Sequence, residues 1–249
     1  MLSELAASVR SRAVSPVELV EESLRRIDAA EHLNAVVLVH AEEALAVAER
    51  HPRTGPLAGL PLLVKDMARC RGSRTTMGTH LLADVPADDV DDDVVARLRG
   101  AGAIVVGRTN SPAFGHAPFT TNLVFGPTLN PWNPTRSPGG SSGGSAAALA
   151  AGLAPLATTS DGGGSVRIPA ALCGLVGLKP TMGAIGRNVL PRWIEFSTQG
   201  VTATTVADVA LLADLTFGPA SGDFLSAPAG TASPSPTRPS RVVACRTFR

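Results

Sequence analysis

The chain reads as an α/β protein with a mixed β-sheet core covered by helices. Three observations predict this. Helical and extended segments alternate, the strand candidates are short and apolar, and Gly- and Pro-rich turns separate them. With 44% hydrophobic and 17% charged residues in 249, a substantial buried core follows.

Leu2–Val14 has helical spacing, with Leu2, Leu5 and Val9 on one side. In Ser15-Pro16-Val17-Glu18, Ser15 caps a second helix, Pro16 takes its first position and Glu18 closes a capping box. That helix runs to about Ala30 and buries Val17, Val20, Leu24 and Ile27. Val36–Val39 is a β-branched strand, and Ala41–Arg50 a third helix. Leu62–Val64 is a buried strand ended by Lys65 and Asp66, which are either surface residues or an active-site pair; structural ion pairs are the commoner outcome. The acidic run Asp88–Asp93 reads as capping and solvation for a helix over Val94–Ala101.

Ala103–Val106 is the next buried strand. Gly107–Trp132 is a long loop of the kind that carries function; its one histidine, His116, reads as a hydrogen-bonding loop residue. A helix over Ser142–Ala151, a strand over Leu156–Thr159, a short helix over Pro169–Val176 and a turn-rich loop over Gly183–Arg192 follow. Thr205–Phe217 is a helix opened by Thr205. The expected organisation is one core over 1–220, a Pro/Ser-rich linker over 221–240, and the start of a further strand of the same fold in 241–249.

Composition excludes several function classes. A net charge of +1 without a basic patch gives no case for nucleic acid or an anionic membrane surface. No apolar run approaches the ~18 residues of a membrane span. The three cysteines, Cys70, Cys173 and Cys245, are too widely spaced for a disulfide framework or zinc site, so no metal is expected and a reducing cytoplasm is the default. Only Lys65 and Lys179 are lysines among 22 basic residues; a buried lysine can lose its proton, which arginine cannot.

The chemistry concentrates in Arg136–Thr181, where the clusters Gly139–Ser145 and Gly162–Ser165 bracket an Ala/Leu-rich segment. A phosphate loop is unspecific here, because neither G-x-x-x-x-G-K-[ST] nor G-x-G-x-x-G after a strand is present. Gly139–Gly143 satisfies G-x-S-x-G, but all five histidines precede Ser141, whereas that fold orders its triad serine, acid, histidine. Purely structural turns would account for one cluster better than for two beside a strand-ending lysine. A serine nucleophile activated by a desolvated lysine suits the pattern, with the glycine amides converging on an oxyanion.

Five motifs then carry a resemblance. They are G-L-P-L-L-V-K-D at Gly59–Asp66, G-P-T-L-N-P-W-N at Gly126–Asn133, P-G-G-S-S-G-G-S-A-A-A at Pro138–Ala148, D-G-G-G-S-V-R-I-P-A at Asp161–Ala170, and C-G-L-V-G-L-K-P-T at Cys173–Thr181. The chain resembles the amidase signature family of serine hydrolases nearly end to end. The resemblance implies Lys65 as general base, Ser141 as relay serine behind a cis peptide, and Ser165 as nucleophile. It implies oxyanion donors at Gly162, Gly163 and Gly164, support from Asp161 and Arg167, and a structural place for Ser142 and Ser145 near the helix start. The implied reaction is hydrolysis of a small carboxamide through an acyl-enzyme, without a cofactor. A homodimer is allowed; no nucleic acid or membrane is contacted directly.

Two departures are visible. Thr159-Ser160-Asp161 stands where the family more often has Gly-Thr-Asp, and Met67–Arg74 is unusually basic. Family members are also much longer, so part of the sheet, the acyl pocket and a covering layer are expected beyond Arg249. An inactive or partner-dependent truncated homologue, and an A-type component of a glutamine-dependent amidotransferase, are the alternatives.

Overall fold

A computed structural model describes residues 1–187, 196–221, 223 and 225–226. Helices α1 (Leu2–Arg10) and α2 (Pro16–Ala29) open the chain, and the Ser15–Glu18 capping box closes in both directions, at 3.1 and 2.7 Å. Strand β1 (Val36–Val39) and helix α3 (Ala41–Glu49) follow, then β2 (Pro61–Lys65), α4 (Asp93–Gly100) and β3 (Ile104–Thr109). The remaining elements are β4 (Thr121–Asn122), β5 (Gly126–Pro127), α5 (Gly143–Ala150), β6 (Leu156–Ala157), β7 (Thr159–Asp161), α6 (Arg167–Cys173), β8 (Val176–Leu178), β9 (Thr198–Ala203) and α7 (Val206–Thr216).

The main sheet has the order β1-β3-β2-β6. β2 lies parallel to both β3 and β6, and β1 closes the edge antiparallel, so the sheet is mixed as expected. Every residue of β2 and β3 is buried, which explains why both read as continuous apolar runs rather than alternating ones. Helices cover both faces. Leu62 and Val64 pack with α1, α4 and α7, whereas Leu63 packs with α2, α3 and α5. Consecutive strand residues thus feed opposite layers.

Four expectations change. The strand expected over Leu156–Thr159 is two strands: β6 joins the main sheet, and β7 turns away to pair with β9 in a second, antiparallel sheet of order β7-β9-β8. The helix expected over Pro169–Val176 lies over Arg167–Cys173, because Gly174 ends it at φ 71° and Val176–Leu178 enters a strand. β9 carries two threonines, a glutamine and a glycine among its six residues, so no apolar run announced it.

The acidic run is the fourth, since it does not cap α4 through its side chains. Instead Asp88, Asp91 and Asp92 grip the basic loop after β2. Asp92 accepts from Arg69 Nε and amide, both at 3.0 Å, Asp91 from the Arg71 amide at 2.8 Å, and Asp88 from Thr75 Oγ1 at 2.6 Å. The linker expected over 221–240 lies outside the described residues except at 221, 223, 225 and 226, and the strand start at 241–249 lies wholly outside them.

Helix α5 approaches the sheet backbone directly at Gly144, where an added Cβ would stand 2.4 Å from the Asn110 carbonyl oxygen and 2.9 Å from that of Ala35. Gly144→Ala is therefore expected to push α5 off β3 and cost roughly 1–3 kcal/mol of stability, read as a fall in the denaturant midpoint.

Candidate active site

The site forms at the carboxyl end of the parallel strands, where open α/β sheets place their ligands. β2 delivers Lys65 there, almost fully buried. The Lys65 amide donates to Thr158 Oγ1 at 2.8 Å, tying the strand end to the segment after β6. Nζ lies 2.8 Å from Ser141 Oγ, 2.9 Å from Ser142 Oγ and 3.0 Å from Ser160 Oγ. Among the described residues, no carboxylate forms an ion pair with it. Burial lowers its pKa to about 7, with the charge of Asp161 working the other way.

Lys65 and Asp66 are not a pair, although they are neighbours in sequence. Both are buried, but Asp66 turns to the Thr76 amide at 2.9 Å, the Thr76 hydroxyl and the fully buried Arg108 at 3.5 Å. Burial raises the Asp66 pKa, and the Thr76 hydroxyl and Arg108 oppose that. This carboxylate holds the loop after β2 and leaves the lysine among hydroxyls.

The proton inventory around Nζ is restrictive. A neutral amine has two N–H donors and one lone pair. Ser142 Oγ donates to the Ser160 carbonyl at 3.2 Å, so toward Nζ it serves as acceptor. When Nζ is neutral, its lone pair is left to one of the other two hydroxyls, Ser141 or Ser160, as donor; when it is charged, its three N–H groups match the three hydroxyls. Ser142, expected to be structural, is thus in direct contact with the lysine, whereas Ser145 stays structural, bonded to Thr109 Oγ1 at 2.7 Å and the Thr158 carbonyl at 2.9 Å. Ser160, noted only as a departure in the sequence, is the third hydroxyl. It occupies β7, and the turn from the main sheet into the second sheet is what brings it to Nζ.

The two glycine–serine clusters meet, with the Ser142 amide donating to the Ser165 carbonyl at 3.3 Å. The Gly140–Ser141 peptide is cis. Ser165 precedes α6 and shares a cavity of about 530 Å³ with Lys65, Ser141, Ser160, Gly162 and Gly163. Among the described residues, no hydrogen bond joins Ser165 Oγ to Ser141 Oγ.

Asp161 holds the second cluster. It is fully buried, accepts from the Gly164 amide at 2.8 Å and the Val166 amide at 3.1 Å, and takes a two-pronged ion pair from Arg167 at 2.9 Å on each side. Burial works against its charge, but Arg167 and the two amides hold its carboxyl below the ordinary value. The Gly164 amide is committed to Asp161, and Gly164 sits at φ +119° to make that turn, whereas Gly162, Gly163 and Ser165 line the cavity.

The long loop over 107–132 roofs this corner, and an Asn110–Asn122 contact at 2.7 Å organises it. A Cβ on Gly115 would meet Met67 Sδ at 2.7 Å, and one on Gly140 the Ala117 carbonyl oxygen at 2.7 Å, so the loop lies against the cis peptide. His116 lines the cavity.

This geometry can be set beside known proteins. The family model described as Amidase matches residues 18–245. The chain belongs to the amidase family. An acylamidase of Rhodococcus erythropolis is 46% identical over 233 residues, covering 90% of this chain and 49% of the relative. The A subunit of a glutamyl-tRNA(Gln) amidotransferase from Burkholderia pseudomallei is 45% identical, covering 87% of this chain and 45% of that one. Among solved structures, 6-aminohexanoate cyclic dimer hydrolase in complex with its substrate superposes with a TM-score of 0.87 at 38% identity, covering 92% of this chain and 49% of that one. A bacterial aryl acylamidase of the amidase signature enzymes superposes with a TM-score of 0.85 at 35% identity, covering 91% and 49%. This amidase-family chain thus spans about half the length of the relatives it matches. Among the described residues, no helix is long and apolar enough to cross a membrane.

A lysine with its pKa near 7 leaves two signatures. Any step that needs its free amine should rise tenfold per pH unit below about 7 and level off above it. The unfolded chain, with an ordinary lysine near pH ~10.4, binds more protons between those values, so this group makes stability increase as pH rises from about 7 toward ~10.4. Thermal melts across that window should show the increase, and Lys65→Met should flatten it.

Proposed function

We propose that the chain carries the acylation machinery of a serine amidase acting on a small carboxamide. The observation that supports this best is Lys65 Nζ, desolvated to a pKa of about 7 and 2.8 Å from Ser141 Oγ, in one cavity with Ser165 and the glycine turn.

In this reading Ser141 is the hydroxyl that donates to the Lys65 lone pair. As Ser165 Oγ bonds to the amide carbon, its proton passes to Ser141 Oγ, and the Ser141 proton passes to Nζ. The carbonyl oxygen becomes an oxyanion between the amides of Gly162, Gly163 and Ser165, where a missing donor typically costs ~10²–10³ in rate. The proton then returns from Nζ through Ser141 to the leaving nitrogen, the C–N bond breaks and the amine departs. Water repeats the sequence on the Ser165 ester, releasing the acid. Ser142 and Ser160 hold Nζ between the two serine-bearing loops, and Asp161 with Arg167 holds the oxyanion turn.

The test is covalent capture by a fluorophosphonate, followed by intact mass. One adduct is expected on the unaltered chain and none on Ser165→Ala, with Ser141→Ala and Lys65→Met slowed by roughly 10³-fold or more. Labelling of Ser165→Ala at the native rate would refute the assignment.

The 45% identity to an amidotransferase component favours a second reading, in which the same acyl-enzyme forms on glutamine and the product used is ammonia. Glutaminase activity that appears only when the cognate amidotransferase partners are added, with no hydrolysis of simple amides alone, would select it.

A further inference from the structure

The cavity extends beyond the lysine–serine corner. Met67, Met77 and Ile168 give it apolar wall, and Arg187 and Gln199 contribute polar lining. Arg187 is half-buried. Its guanidinium donates from Nη1 to the Ser197 carbonyl and from Nη2 to Met182 Sδ at 3.4 Å, and neither acceptor is charged. The carboxylate of Asp223 is nearby but spent elsewhere. It accepts from the backbone amides of Arg187 and Leu225, each at 3.0 Å, and from the Ser226 hydroxyl at 3.0 Å. Among the described residues, no carboxylate forms an ion pair with this guanidinium.

The other ionisable groups lining the cavity are Lys65, His116, Asp92 and Asp93. Asp92 is held by Arg69 through an ion pair at 3.0 Å, and Asp93 belongs to the first turn of α4. Arg187 is therefore a permanent cation on the wall of the candidate site, partly stripped of water and, among the described residues, without a carboxylate in ion-pair contact. A guanidinium presents five N–H donors in a planar fork, and uncharged acceptors take only part of that capacity here. A carboxylate is the group that matches such a fork. The thioether and isoleucine surface suits a methylene chain running between the two ends.

We propose that Arg187 is a specificity-determining residue that receives a carboxylate at the far end of the acyl chain. The preferred substrates are then monoamides of dicarboxylic acids, with the carboxamide at Ser165 and the free acid at Arg187. This rests on the amidase reading for where the carboxamide sits, but binding alone tests it.

The experiment measures, by calorimetry, the affinity of Ser165→Ala protein for malonamate, succinamate, glutaramate and adipamate. Each is compared with the neutral amide of the same chain length. At least one acid is expected to bind roughly tenfold or more tighter than its neutral partner, the range of a hydrogen bond to a charged group. Adding Arg187→Met should bring that ratio to about one, and Arg187→Lys should restore part of it, keeping the charge without the fork. Equal ratios across the whole series, no binding by any member, or a preference that survives Arg187→Met would overturn the proposal. Hydrolysis of the neutral amides by the unaltered chain is followed separately. A carboxylate preference without any hydrolysis would count against the amidase reading and for Arg187; hydrolysis without the preference would do the reverse.

Discussion

A lysine side chain held among hydroxyls and, among the described residues, without a carboxylate partner is the constraint on which the rest depends. Burying an ammonium in an apolar sheet is costly, and a buried lysine normally either finds a carboxylate or gives up its proton. Lys65 is flanked in sequence by an aspartate that could have neutralised it. The fold prevents this by turning Asp66 to Thr76 and Arg108 behind the sheet end. What remains around Nζ is Ser141, Ser142 and Ser160. Hydroxyls solvate either protonation state without fixing the charge, so burial sets the pKa near 7.

Delivering three hydroxyls to one nitrogen requires three chain segments to arrive together. Ser141 and Ser142 come from the turn before α5, which needs Gly144 to press against the carbonyls of Asn110 and Ala35. Ser160 comes from the chain's exit from the main sheet into β7. Lys65 itself is anchored by Thr158 between those two. The same exit places Asp161 beneath the second glycine turn, where one carboxylate orders three amides and a guanidinium. Lys65 Nζ and the second glycine turn are thus each held by adjacent residues of one short strand, Ser160 and Asp161.

The second sheet and the loop after β2 show where pattern reading stops. β9 mixes threonine, glutamine and glycine with apolar residues and is recognisable only from its pairing with β7 and β8. The acidic run before α4 read as a helix cap because carboxylates favour that position. Its side chains instead hold Arg69, Arg71 and Thr75 of a loop some twenty residues earlier, a long-range match of charge and backbone donors.

The sequence by itself determined the α/β class, the capped helix at Ser15, the two buried central strands, the family, and the candidates Lys65, Ser141 and Ser165. The class, the capped helix and the strands rest on local pattern: periodicity, caps and apolar runs; the family and the three candidates rest on the resemblance of the glycine–serine and lysine motifs to those of the amidase signature family. Tertiary structure decided that Asp66 is no partner of Lys65, that Ser142 and Ser160 touch Nζ, and that the Gly164 amide serves Asp161 rather than the cavity. The reason is physical. Residue type and spacing say which groups are available, but the direction of a side chain or an amide at a strand end depends on which neighbour claims its hydrogen bond. Those neighbours lie about twenty to ninety-five residues away for Ser142 and Ser160, and at Gly164 the competitor is three residues back in a turn whose shape the fold imposes.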